Sequence, residues 1–409
     1  MSTFQTVRGM RDLLPEEAEV INYVITKARQ TATLYGFLEG EEIRQRMFTF
    51  KDLGDRTVAL RPEFTASIAR LATTAMKNEP KPLRVFSVGS VYRYDEPQKG
   101  RYREFWQSNF ELMGSAKPEA DAEVVLLTNS VMKNVGLQDY AIKLGHVGVL
   151  KGIMTQHNVE DKMQNAVLQR MDKKEYEAAL ALISSDECRN VLQGLIELKY
   201  DSVFDAVKKM KTHLQGYEKA LNAVENLSAI LKLVTESGCK IETVDPAFAR
   251  GLEYYTGMIF EVHVPEMNIA LGGGGRYDKL IEVFGGEPTP AVGVAHGLDR
   301  IALAMQSQKT ALKTEEKKKV VVVPIREEQK GEALKIAQML RDAGVSAKFE
   351  VMGRKMAKAM EDADKRKEAD YAVIVGEREL KEGKVVVKDL SKRTQTEVKI
   401  EELAQKIKS

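Results

Sequence analysis

Arg84 to Gly114, RVFSVGSVYRYDEPQKGRYREFWQSNFELMG, is the stretch whose reading decides the fold. Its first arm, Val85 to Tyr94, is rich in β-branched and aromatic residues, and its second, Arg103 to Met113, alternates large apolar with polar side chains. Both are strand signatures. Between them runs Asp95-Glu96-Pro97-Gln98-Lys99-Gly100-Arg101, a polar loop whose Pro and Gly stop both strands, so the stretch reads as an antiparallel hairpin. Arg93 late in one strand, Asp95 two positions on, and the basic loop make a cation-bearing flap. Such a flap suits a polyphosphate, because arginine's planar fork can hold a phosphate through two parallel hydrogen bonds. Taken alone, the loop also fits a basic surface hairpin that binds nothing.

Composition sets the bounds. A chain of 409 residues is long enough for more than one domain with a substantial core. With a net charge of +2 and 30% charged residues, no global polycation is present, and any contact with nucleic acid must be a local patch. The two cysteines, Cys188 and Cys239, lie far apart, which fits a reducing compartment and argues against a zinc site or a disulfide framework. The five histidines (His146, His157, His213, His263, His296) are scattered, without a metalloprotease pattern, and no metal site is expected. No run approaches the roughly 20 apolar residues that span a bilayer. Met1 to Arg11 has no apolar core of a signal peptide. The expectation is a soluble, cytoplasmic protein with no membrane partner.

Upstream of the hairpin, Asp12 is a good N-cap with Pro15 in the first turn, and helical periodicity runs to about Leu34 before Gly36 ends it. Two short strands follow around Leu53-Gly54-Asp55-Arg56. Arg61-Pro62-Glu63-Phe64-Thr65 then opens a helix. Backbone amides at that start, with Glu63 and Thr65 beside them, can orient a small zwitterion. Both residues also read as ordinary caps.

Downstream, Pro118 to Asn134 reads as a helix, and YAIKLGHVGVL as a strand with a following turn. From Lys151 to about Gly238 the spacing becomes i, i+3, i+4, with many Lys and Glu and no proline, as in an all-helical insertion. Its charges fit a solvated face or contact with a nucleic acid. Strand texture resumes at DPAFARGLEYYTGMIFEVHV, Asp245 to Val264. Arg250 sits there beside Tyr254 and Tyr255, the run Gly272 to Gly275 admits close backbone approach, and Arg300 follows Gly297-Leu298-Asp299 at the start of an apolar helix. Singly, these are core aromatics, a tight turn and a surface arginine. A charged connector, Gln306 to Lys319, leads to VVVVPI, a helix from about Glu327 to Ala343, AKFEV, a second helix, YAVIVG, KVVVKDL and a final helix to Lys406. That is β-α-β-α-β-β-α, with continuous apolar strands that imply a sheet covered on both faces.

Together these stretches resemble the class II aminoacyl-tRNA synthetases. Arg93, Asp95, Arg101 and Phe105 fall into their second motif, an Arg followed by an acidic residue and then RxxxF. EPQKGRYREFWQ, RGLEYYTG and GGGGRYD are similar to the histidine-specific versions, and GVAHGLDR to the third motif. His296 departs from that third motif, which usually has a bulky or small residue there beside the adenine pocket. The resemblance covers essentially the whole chain. A second departure is the first motif, a helix and strand around a proline that builds the dimer interface. Here Gly36-Phe37-Leu38-Glu39 runs directly into Gly40-Glu41-Glu42-Ile43, and no Pro occurs between Pro15 and Pro62. Excising a strand from a central sheet should cost more than a marginal stability of about 5–15 kcal/mol can bear, which favours an omitted segment over a different dimer.

The resemblance implies an α+β fold: an antiparallel-sheet catalytic domain, 1–305, with a helical insertion at about 151–238, then a linker, 306–319, and an α/β anticodon-binding domain, 320–409. It implies ATP-dependent ligation of L-histidine to tRNA(His) through a histidyl adenylate, by a homodimer, with Mg2+ carried on the ATP. Arg93 is expected to grip the α-phosphate and the substrate carboxylate side, with Arg250 a second cation there. Asp95, Arg101, Phe105 and Arg300 belong with ATP, Arg300 at the γ-phosphate. Glu63, Thr65 and Gln107 hold the amino group, Glu111 and Tyr255 bind the two imidazole nitrogens, and Tyr254 walls the pocket. The alternative is a histidine-sensing regulatory paralogue of histidine biosynthesis. Such proteins usually lack the C-terminal domain and the signature arginine.

Overall fold

The computed structural model describes residues 15–34, 38–39, 48–94, 96, 98, 100–250, 254–312, 318–350, 354, 356–365 and 369–408. The chain divides into two compact units, Met1–Leu312 and Lys313–Ser409. In the first, α1 (Pro15–Leu34), β1 (Leu38–Glu39), a small hairpin of β2 (Thr49–Lys51) and β3 (Thr57–Ala59), and α2 (Thr65–Thr73) precede the long hairpin of β4 (Leu83–Tyr92) and β5 (Glu104–Met113). Next come α3 (Pro118–Val135) and β6 (Ala141–His146), then six helices: α4 (Val147–Gln156), α5 (Asp161–Asp172), α6 (Tyr176–Leu180), α7 (Asp186–Ile196), α8 (Val203–His213) and α9 (Glu218–Glu236). The unit closes with β7 (Thr243–Val244), β8 (Met258–His263), β9 (Gly272–Arg276), α10 (Leu280–Val283), β10 (Ala291–Gly297) and α11 (Leu298–Ser307).

Among the described residues its main sheet has eight strands in the order β1-β4-β5-β10-β9-β8-β6-β7. Only the outer pairs, β1 with β4 and β6 with β7, are parallel. The opening hairpin is the longest ladder, registered from Leu83↔Met113 to Tyr92↔Glu104. Because side chains alternate along a strand, β5 sorts its residues to two faces. Phe110 and Leu112 join the core built with α1 and α3, whereas Gln107, Asn109 and Glu111 face the other way, toward α2. A buried ion pair, Arg276 Nη2 to Asp121 Oδ2 at 2.8 Å, joins β9 to α3.

Two local expectations change. HVGVL is the start of α4, not a turn: the His146 side chain accepts from the Gly148 amide at 3.1 Å and caps the helix. His296 does not face a nucleotide pocket. Its register partner is Ser108, its ring packs 5.5 Å from Phe110, and its Nε2 lies 3.1 Å from Thr128 Oγ1 of α3, on the sheet face opposite Glu111. Burial holds that imidazole down to about 3, so it is neutral. The junction after Glu39 (40–47), Asp12 and the charged run 313–317 lie outside the described residues.

The second unit contains β11 (Lys319–Pro324), α12 (Lys330–Asp342), β12 (Ser346–Phe349), α13 (Met356–Lys365), β13 (Tyr371–Val375), α14 (Glu377–Lys381), β14 (Lys384–Asp389), β15 (Gln395–Lys399) and α15 (Leu403–Lys408). Its sheet runs β12-β11-β13-β14-β15. The sequence reading misses β15, because QTEVK is an edge strand with only Val398 buried and carries no apolar alternation.

Candidate active site

On the α2 side of the main sheet, small residues keep the floor open. Gly293 of β10 stands opposite Glu111, and a Cβ there would overlap the Glu111 carboxylate. Gly273 of β9 faces Arg250 in the same way, and its Cβ would overlap the guanidinium. The four glycines are therefore a strand pressed between its neighbours and an arginine of the cleft, not a tight turn.

Glu111 is at the centre, 1% exposed. Thr65 Oγ1 donates to its Oε1 at 2.6 Å, Asn109 Nδ2 approaches the same oxygen at 3.4 Å, and the Tyr277 hydroxyl donates to Oε2. A carboxylate offers about four acceptor sites, so these donors leave room for one more. Burial raises its pKa to about 7, opposed by the Thr65, Tyr277 and Asn109 hydrogen bonds and assisted by the negative charge of Glu63. Glu63 is also pushed up by burial, against the Arg93 charge and hydrogen bonds from the Ala66 amide and Tyr254. The N-cap of α2 is Phe64, whose side chain makes no cap hydrogen bond, and the Thr65 hydroxyl turns inward to Glu111 instead of capping.

Tyr254 lies 4.8 Å from Tyr255 and 5.7 Å from Tyr277 between ring centroids, closing one wall. Arg250 lies 5.9 Å from the Tyr255 ring and donates through Nη1 to Glu261 Oε1 at 2.8 Å. At the flap end, Arg93 lies over the Phe105 ring at 5.2 Å and donates to the Pro62 carbonyl at 2.9 Å. Arg300 is the third residue of α11 and donates to the carbonyls of Gly100 and Ala270 at 2.9 and 2.8 Å. Gln107 is buried on the Glu111 face, and among the described residues its Oε1 has no hydrogen-bond partner; Ser87 Oγ, across the ladder from Asn109, has none either.

Shared contacts therefore join Arg93, Glu63, Thr65, Glu111, Tyr254, Tyr255 and Arg250 into one set. Phe105 enters it through Arg93, and Gln107 through its strand. Arg101 is exposed, and its backbone pairs with Gln98 across the flap. Asp95 and the segment 251–253 lie outside the described residues. Sequence reasoning missed Tyr277, Asn109 and Glu261. Tyr277 stands two residues after the glycine run and Glu261 two residues before His263, so each falls within a motif-bearing stretch but carries no spacing signal of its own.

Clustered buried acceptors, two arginines and aromatic rings offer partners for a cationic amine and for an anionic phosphate. Comparison with known proteins gives the family. The family model described as Histidyl-tRNA synthetase matches residues 9–301, and the one described as Anticodon binding domain matches 319–409. The protein named histidine–tRNA ligase in Methanocaldococcus jannaschii is 38% identical over 421 residues, covering 98% of both chains. Its namesake in Sulfolobus acidocaldarius is 36% identical, again covering 98% of each. A solved histidyl-tRNA synthetase from Nostoc sp. PCC 7120 superposes with a TM-score of 0.79 at 23% identity, covering 100% of this chain and 99% of that one, which shows the fold. Matched in this way along nearly its whole length, with the sheet and cleft in place, the chain belongs to the histidyl-tRNA synthetase family.

Proposed function

We propose that this protein is a histidine–tRNA ligase that works in two steps. The histidine carboxylate attacks the α-phosphorus of ATP and pyrophosphate leaves; a ribose hydroxyl at the end of tRNA(His) then attacks the adenylate carbonyl and AMP leaves. The observation that carries the reading is the Glu111 cluster. A buried carboxylate held by Thr65, Asn109 and Tyr277, with an unmet acceptor on Gln107 along the same strand face, is a site short of donors. Histidine brings an ammonium and an imidazole N–H. Glu63, Thr65 and Gln107 take the ammonium, Glu111 and Tyr255 the imidazole, and Tyr254 covers the ring.

Arg93 and Arg250 supply fixed positive charge where the phosphoryl oxygens gain negative charge, the largest single kind of catalytic contribution in such sites. Asp95, Arg101 and Phe105 accompany Arg93 at the nucleotide, and Arg300 takes the γ-phosphate. Mg2+ arrives with ATP as part of the substrate. We place the catalytic domain at 1–305, with the insertion at about 151–238, and the anticodon-binding domain at 320–409 after a linker, 306–319; the anticodon-domain match supports the last of these. The protein is expected to act in the cytoplasm as a homodimer. Among the described residues no helix is long and apolar enough to cross a membrane.

A regulatory paralogue would be expected to lack Arg250 and the C-terminal domain, and this chain has both. Histidine-dependent exchange of pyrophosphate into ATP tests the reading. Exchange with histidine and none with other amino acids is expected; its absence in folded protein overturns the ligase. Deleting Val320 to Ser409 should raise KM for tRNA by about tenfold or more while sparing much of the exchange.

A further inference from the structure

Beyond the glycine strand, at β8, Arg250 begins a chain of three polar residues, the other two of which the reaction as described does not use. Arg250 Nη1 donates to Glu261 Oε1 at 2.8 Å and to the Phe260 carbonyl at 3.3 Å. The other carboxylate oxygen, Glu261 Oε2, lies 2.9 Å from His263 Nε2. Glu261 and His263 are two apart on β8 and so share a face. We propose that Glu261 is a positioning residue for adenylate formation: it holds one prong of Arg250 so that the rest of the guanidinium faces the reacting groups, and His263 fixes Glu261 in turn. This rests on the reading of Arg250 given above.

Several observations carry it. Among the described residues, every hydrogen bond of Arg250 is made through Nη1, which leaves Nε and Nη2 for a ligand. Gly273 is the register partner of Glu261 on β9, and the space of its missing Cβ is taken by that same Nη1. On the other side Lys143 is the register partner on β6, but its amine is engaged by Asp245 and lies 4.2 Å from the Phe248 ring, so Glu261 keeps Arg250 and His263 as its partners. Burial pushes the Glu261 carboxyl up, yet the His263 hydrogen bond and the charges of Arg250 and Lys143 outweigh it and hold the group ionised. An ion pair of this kind is a weak device for stability, since an apolar pair of similar volume generally serves as well or better. Its use lies in preorganisation: an arginine with many rotamers, fixed before the substrates arrive, need not be ordered in the transition state.

Single-turnover adenylate formation at saturating ATP and histidine tests the proposal in wild type, Glu261→Gln, His263→Asn, Arg250→Ala and the Glu261→Gln/Arg250→Ala double variant. Glu261→Gln should slow the step on the order of tenfold, with KM for histidine and the thermal midpoint nearly unchanged. In the Arg250→Ala background it should add nothing beyond about twofold, because it acts through that side chain. His263→Asn, which leaves the Arg250–Glu261 bond intact, should slow the step by roughly two- to fivefold and stands in if the Gln variant does not fold. A Glu261→Gln rate equal to or above wild type alongside a slow Arg250→Ala overturns the proposal and leaves Arg250 catalytic. Additive losses in the double variant overturn it too, since Glu261 would then act by another route. An Arg250→Ala enzyme as fast as wild type removes the Arg250 reading itself, and this proposal with it.

Discussion

Glu111 and Glu261 are two carboxylates on one face of one sheet, and their neighbours give them opposite characters. Among the described residues Glu111 receives only neutral donors, the hydroxyls of Thr65 and Tyr277 and the Asn109 amide, and burial raises it to about 7. Glu261 is likewise held by protein partners, but they are Arg250 and His263 with Lys143 nearby, and the balance pulls it down. Neutral donors orient a carboxylate without satisfying its charge, which leaves Glu111 suited to recognise a substrate that brings a proton donor. The charge of Arg250 satisfies the carboxylate, which leaves Glu261 suited to hold a side chain. On the roles proposed above, recognition and positioning divide along one sheet face by what surrounds the same functional group.

The contrast breaks most severely at Arg250. Replacing it with Ala should lower single-turnover adenylate formation by about 10²- to 10³-fold, the range for one lost electrostatic donor, and affect histidine binding much less. Lys should rescue only in part, because it restores charge without the two-pronged geometry. A rate within a few-fold of wild type would make the cationic end of the cleft structural.

At the neutral end, Glu111→Gln should raise KM for histidine by roughly 10- to 100-fold and leave KM for ATP nearly unchanged, since a buried recognition group loses its match to the imidazole. Equal losses for both substrates would take Glu111 out of the pocket. Tyr277→Phe removes one donor and keeps the ring against Tyr254, so a smaller rise in KM for histidine, about three- to tenfold, is expected. Steady-state titration of each substrate separates these outcomes.

The smallest effect is on stability against pH. In the unfolded chain Glu111 loses its proton near 4.5 and in the fold only near 7. Between those values the folded protein keeps a proton that the unfolded chain has released, so this group's contribution falls as pH rises through the window and is lowest above it. Gln does not titrate. The thermal midpoint of Glu111→Gln relative to wild type should therefore improve by roughly 2 °C or more between about pH 5 and about pH 8. A pH-independent difference would mean that Glu111 is not held as described.

Much of this was legible in the residues. Alternating strand arms around Asp95 to Arg101 fix a hairpin, the proline-free i, i+4 stretch fixes a helical block, and the apolar runs of the C-terminal unit fix a covered sheet, because periodicity and turn chemistry are local properties. The ordered motifs also pointed to Glu63, Thr65, Arg93, Glu111 and Arg250. What the residues alone did not decide was which face each strand residue takes and what stands across from it. His296, which the third-motif resemblance sets beside the adenine pocket, packs against Thr128 instead; the glycine run admits close approach, and what approaches is the Arg250 side chain; Tyr277 and Glu261 lie in motif-bearing stretches without a role of their own and contact Glu111 and Arg250. These depend on register between strands distant in sequence. A shift of one residue would send each side chain to the opposite face, so only the folded sheet could settle them.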